Sequence, residues 1–143
     1  MSFRIEEKLY IRRENLLEFK AHLFKNLAKK LHHPRIIKSL YFENKNLDMF
    51  NDSIEGLTPR KKIRIRNYPN EKDIKFYLEI KNSAVEGRFK TRNVINDKEF
   101  SEKKFYGILD NQYGTCFPKL YVSYLREYFL LDDVRISIDE NSE

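Results

Sequence analysis

Cysteine is all but missing from this chain. Cys116 is the only one, which excludes a disulfide within the chain and any cysteine-based metal site. No apolar run approaches the length needed to cross a bilayer. The opening Met1-Ser2-Phe3-Arg4-Ile5-Glu6-Glu7-Lys8 has no apolar signal core. A reducing, cytoplasmic location is therefore expected, or the cytosolic face of a membrane if a longer parent chain is anchored. Internal repeats, low-complexity segments and interdomain linkers are also lacking. The 143 residues read as one domain, 1–143, long enough for a real core. A single-strand nucleic-acid-binding module using basic and aromatic side chains on a sheet ranks well below other readings, because the chain has neither an RNP-type aromatic motif nor a Gly-rich clamp.

Charge is plentiful. Lys and Arg number 28 against 22 acids, a net charge of +6 with a pI near 9.3. That excess alone points only weakly to polyanions, and its placement is more informative. Arg60, Lys62, Arg64, Arg66 and Tyr68 share one parity, whereas Lys61, Ile63 and Ile65 share the other. Lys8, Lys81, Lys90, Arg126 and Arg135 repeat the arrangement elsewhere. Side chains alternate faces along a strand. The pattern predicts a sheet with one face packed under helices and the other gathering cations around an anion.

Phe3–Ile11 alternates and reads as a strand. Glu14–Leu31 reads as an amphipathic helix ended by His32-His33-Pro34. Ile36–Phe42 is a second strand, followed by a polar connection from Asn44 to Gly56. Pro59–Tyr68 and Ile74–Lys81 form a hairpin across Pro69-Asn70-Glu71-Lys72-Asp73. Gly87–Ile95 is a fifth strand. Asp97 caps a second helix running to about Leu109, and Asn111–Phe117 is a loop. Lys119–Phe129 and Val134–Asp139 complete seven strands. Two helices and antiparallel-style turns give an α+β fold, with a curled sheet or barrel accounting for a polar inner face.

Seven segments together resemble the triphosphate tunnel metalloenzyme superfamily, most closely its VTC branch, the polyphosphate polymerase domain. They are Arg4-Ile5-Glu6-Glu7-Lys8-Leu9-Tyr10, Ser39-Leu40-Tyr41-Phe42-Glu43, Arg64-Ile65-Arg66-Asn67-Tyr68, Leu78-Glu79-Ile80-Lys81, Lys90-Thr91-Arg92, Tyr124-Leu125-Arg126-Glu127-Tyr128 and Val134-Arg135-Ile136-Ser137-Ile138-Asp139. The resemblance implies an eight-stranded antiparallel tunnel with a basic lumen. It implies ATP or another nucleoside triphosphate and polyphosphate as ligands, Mn or Mg as the divalent metal, and transfer of the γ-phosphoryl group onto a growing chain. Lys8, Arg64, Arg66, Lys81, Lys90, Arg126 and Arg135 would bind phosphate, with Tyr124 lining the tunnel. Arg64, Arg66 and Lys81 would be the catalytic set. Glu6, Glu79 and Asp139 would be metal ligands or, alternatively, acids that hold the cations apart.

Two departures qualify the resemblance. Arg4 stands where the triphosphatase branch opens its Glu-x-Glu-x-Lys signature with a carboxylate, which favours VTC. The sequence also ends after the seventh strand, before the segment that supplies a glutamate and a closing strand in VTC domains. A non-catalytic polyphosphate-binding accessory domain, completed by a parent chain or partner subunit, is the alternative expectation.

Plainer roles exist for each residue. Arg64 and Arg66 could be solvated on an exposed strand. Lys8, Lys81, Arg126 and Arg135 could form a surface lattice with Glu6, Glu79, Glu127 and Asp139. His32-His33 reads as a C-terminal cap or surface pair, Cys116 as a buried or loop thiol with no activating base, and Lys61 as solvent-facing.

Overall fold

The computed structural model describes residues 6–141. After a 3-10 turn at Arg13–Asn15 come α1 (Leu16–Lys25), β1 (Lys29–Glu43), α2 (Asp48–Glu55), β2 (Arg60–Asn67), β3 (Phe76–Ala84) and β4 (Gly87–Ile95). Then follow α3 (Asp97–Tyr106), β5 (Ile108–Asp110), β6 (Gly114–Leu131) and β7 (Val134–Asn141). The expected α+β class holds: one seven-stranded sheet in the order β4-β3-β2-β1-β6-β5, with β7 also paired to β6. The β1–β2, β2–β3, β3–β4 and β5–β6 ladders are antiparallel.

Several boundaries depart from the sequence expectation. The expected strand Phe3–Ile11 falls partly outside the described residues. From Glu6 to Tyr10 the chain is irregular and exposed, because alternation alone makes no strand without a ladder partner. The first helix stops six residues early. Asn26 closes it, and Leu27 takes a left-handed backbone with φ 67°, so Lys29 already begins β1. His32, His33 and Pro34 therefore lie within a strand rather than ending a helix.

The connection Asn44–Gly56 contains α2, a third helix. Glu43 builds its start by accepting from the backbone N–H groups of Met49 at 3.1 Å and Phe50 at 2.9 Å. Asn44 Oδ1 accepts from Asp48 N–H at 3.0 Å. These side chains satisfy orphan donors of the first turn. Asn96, one residue before the expected cap, accepts from Glu99 N–H at 2.8 Å and starts α3. That helix ends at Gly107, with φ 83°, where a Cβ would sit 2.7 Å from the Cys116 carbonyl oxygen. This close approach admits β5 beside β6, so Ile108–Asp110 is strand rather than helix, and Gly114 opens a strand rather than lying in a loop.

The chain divides into two compact units. One takes the residues up to His33 together with Glu127–Ile138; the other takes Pro34–Arg126 and the residues from Asp139. The first has its own core of Leu23, Ala28, Phe129 and Ile138. There Phe24 meets Phe129 edge-on, and Lys20 pairs with Glu127. The second is built on Phe42, Met49, Ile63, Ile65, Ile95 and Cys116. Each fully buried aliphatic side chain contributes about 1.5–3 kcal/mol, so Ile63 and Ile65 favour turning their side of β2 toward this core.

Candidate functional site

β2 is buried on both faces. Ile63 and Ile65 are 1% and 2% exposed, yet Arg64 and Arg66, between and beyond them, are only 6% exposed each. Charged side chains are almost never so enclosed unless paired, and the ladders supply the partners. Directly opposite residues share a face. Tyr41, Arg64, Glu79 and Arg92 form one row across β1, β2, β3 and β4. Ser39, Arg66 and Tyr77 form the next. On the other side, Lys62, Lys81 and Lys90 make a row of three ammonium groups, followed by Arg60, Ser83 and Arg88.

Glu79 is the hub, 1% exposed. Its Oε1 accepts from Arg64 Nε at 2.7 Å and lies 3.9 Å from Arg66 Nε. Its Oε2 lies 3.1 Å from Lys90 Nζ and 3.5 Å from Arg92 Nε. Four cations surround one carboxylate, leaving three positive charges uncompensated within the cluster. Neutral groups hold the guanidinium groups further. Arg64 donates to the Tyr41 hydroxyl at 3.3 Å, while Arg66 donates to Ser39 Oγ at 2.9 Å and the Tyr124 hydroxyl at 3.1 Å. The Arg92 guanidinium lies 3.7 Å from the Tyr77 ring centroid, a cation–π geometry.

The electrostatics follow. Burial would raise the Glu79 carboxyl, but the Arg64 charge and hydrogen bond, with Lys90, outweigh it and hold the group below the usual carboxylate range. Burial would lower Arg64, yet its bonds to Tyr41 and Glu79 keep it above its ordinary value. Burial raises the Tyr124 hydroxyl against the opposing pull of Arg66 and Arg126. The Arg64 guanidinium thus stays charged and the Glu79 carboxylate stays ionised.

The structure brings together Arg64, Arg66, Lys81, Lys90 and Glu79 of the expected set, on adjoining rows. Tyr124 joins them through Arg66. Arg126 forms a two-pronged pair with Asp139, Nε to Oδ1 at 2.6 Å and Nη2 to Oδ2 at 2.9 Å, and its guanidinium lies 5.3 Å from the Tyr124 ring centroid. Lys8 and Glu6 are exposed in irregular chain, and Arg135 is exposed on β7; all three belong to the other compact unit. Lys61 does not simply face solvent: its Nζ lies 2.8 Å from Asp110 Oδ1 and 2.7 Å from Asn111 Oδ1.

Sequence reasoning left Arg92, Ser39 and Tyr41 out of the site. Arg92 repeats the parity of Lys90, a signal that was available. Ser39 and Tyr41 needed the β1–β2 register.

The acids do not make a ready metal cage. Glu79 meets cations through both oxygens, and both Asp139 oxygens are held by the one Arg126 guanidinium. Among the described residues no group of three or more His, Cys, Asp or Glu side chains is placed to hold an ion. Nor is any helix among them long and apolar enough to cross a membrane.

A buried acid ringed by cations on antiparallel strands, with a further lysine row beside it, defines a domain built around a cation-rich sheet face. The family model described as VTC domain matches residues 3–143, and the chain belongs to the VTC domain family. Among curated proteins none matches the chain.

Proposed function

We propose that the face formed by β2, β3 and β4 binds a phosphate chain, the triphosphate of ATP or another nucleoside triphosphate or a polyphosphate. The supporting observation is the imbalance around Glu79. Two like charges ~4 Å apart repel by about 4 kcal/mol at an effective dielectric of ~20, against a whole-domain stability of about 5–15 kcal/mol. A face with a lysine row beside that cluster is costly without an anion. Phosphate oxygens relieve it, and Arg presents forked donors that match them.

In this reading Arg64 and Arg66 hold the buried end of the ligand, kept in orientation by Glu79, Ser39, Tyr41 and Tyr124. Lys62, Lys81, Lys90 and Arg92 cover the more exposed length. Phosphoryl transfer of the polyphosphate polymerase type draws mainly on such positioning and charge stabilisation. Arg64, Arg66 and Lys81 are the residues assigned to it. Mn or Mg would arrive with the phosphate oxygens as its main donors, the usual habit of Mg, because the local carboxylates are already paired.

Lys90 and Arg92 are about half exposed, 45% and 46% at the side chain, so replacing both with Ala spares the core. Calorimetric titration with tripolyphosphate should show affinity falling at least about tenfold for two lost charge-assisted contacts. Unchanged affinity would overturn the site. Formation of labelled polyphosphate from ATP with Mn separates a polymerase from a binding domain. Binding without synthesis supports the accessory reading, which the paired state of Glu79 and Asp139 favours.

A further inference from the structure

The opposite face of the same strands holds a second feature. A cavity of about 300 Å³ opens between the sheet and α3. Its wall is apolar, formed by Leu40, Ile65, Phe76, Phe100 and Pro118. Phe76 and Phe100 stack at 4.1 Å between centroids. Around it stand Lys38, Asn67, Lys104 and Tyr121, and no carboxylate lines it.

These polar groups are free to take a ligand. Lys38 is half-buried, and neither it, the Asn67 amide nor the Tyr121 hydroxyl has an ion pair or side-chain hydrogen bond among the described residues. The Lys104 ammonium lies 4.9 Å from the Phe100 ring centroid and has no carboxylate partner among them. Lys38, half-buried beside an apolar wall, gains no carboxylate counter-charge there among the described residues. Small-molecule sites combine a mostly apolar concavity of this size with a few convergent polar groups.

We propose that this cavity binds a planar aromatic acid: a ring system lying along the Phe76–Phe100 wall, with its carboxylate held by Lys38 and Lys104. Both the shape and the sign of charge select this class. The apolar wall disfavours an inorganic phosphate chain, and the two ammonium groups disfavour a cation or an uncharged ring. The site is distinct from the phosphate face. Lys38, Leu40, Ile65 and Asn67 alternate with Ser39 and Arg66 along β1 and β2, so their side chains leave the sheet on the other side.

The probe is 2-naphthoate, with uncharged 2-naphthamide as control, titrated into the full chain and followed by backbone amide chemical shifts. Saturable shifts should centre on Lys38, Ile65, Asn67, Phe76, Phe100, Lys104 and Tyr121. Lys38→Met with Lys104→Met should weaken naphthoate by about tenfold, the scale of a charged hydrogen bond, and leave naphthamide and tripolyphosphate affinities unchanged. Tyr121→Ala, at an exposed position, should weaken both aromatic probes. Shifts centred elsewhere, no saturation, or equal naphthoate affinity in the lysine double variant would each overturn the proposal. Retained tripolyphosphate binding in these variants keeps this outcome separate from the phosphate reading.

Discussion

Arg64 and Glu79 meet at 2.7 Å across β2 and β3, directly opposite in register, with both side chains almost wholly enclosed. This pair organises the centre of the cation face, since Arg66, Lys90 and Arg92 lie against the same carboxylate.

Glu79→Gln should be strongly destabilising. Removing one partner of a buried ion pair costs about 3–5 kcal/mol, and here four cations lose their counter-charge together. Denaturant unfolding should show a lower midpoint, part of which returns on adding tripolyphosphate, because a ligand that binds the folded state stabilises it. A midpoint equal to that of the parent chain would mean that Glu79 does not hold the cluster together.

Lys62→Gln should act in opposite directions on stability and binding. Lys62 faces Lys81, itself opposite Lys90, and like charges directly opposite are unfavourable by about 0.2–1 kcal/mol. Melting without ligand should rise slightly while tripolyphosphate binds more weakly. A fall in both would point to a structural role for Lys62.

Asp110 makes stability depend on acid. Burial opposes ionisation, yet the Lys61 hydrogen bond and the N–H groups of Gln112 and Tyr113 hold its carboxyl below the ordinary value. A depressed folded-state value means the unfolded chain binds more protons in the acid window, so stability rises with pH there. This contribution is complete above about pH 4, near the unfolded carboxylate value. It is lost as pH falls through the folded one. Asp110→Asn should be less stable at neutral pH and show a shallower loss between pH 4 and lower values. Parallel curves for the two proteins would rule Asp110 out as the source.

Cys116 should resist modification while the protein is folded. It is fully buried, and burial with the nearby Asp110 and Glu43 charges pushes its thiol up to about 11. The thiolate is the reactive form. Labelling by a thiol reagent at neutral pH should therefore follow unfolding, becoming fast only in denaturant. Immediate stoichiometric labelling of native protein would contradict the enclosed position.

The faces of β2 were legible in the sequence because Ile and Arg alternate from Ile63 to Arg66, which satisfies the period of a strand. The hairpin to β3 was legible from its turn chemistry, as was most of β4. α2 was not, since Asp48–Glu55 is only eight residues long and buries a single apolar side chain, Met49. Its start depends on Glu43 and Asn44 reaching forward to backbone donors. The end of α1 was misplaced because Leu27 and Leu31 continue the helical spacing, while the chain leaves the helix through a left-handed Leu27. Leucine carries no outward sign of such a conformation.

Local alternation in the chain determined that Arg64 and Arg66 would leave β2 on the side opposite Ile63 and Ile65. Which cations share one carboxylate was decided by tertiary structure. Arg64, Lys90 and Arg92 meet Glu79 only because three strands pair in a particular register, and a slip of one residue would send each side chain to the other face. Register is set by the burial of Ile63, Ile65, Leu78 and Ile80 against one core, a balance of contacts distant in sequence that no single segment encodes.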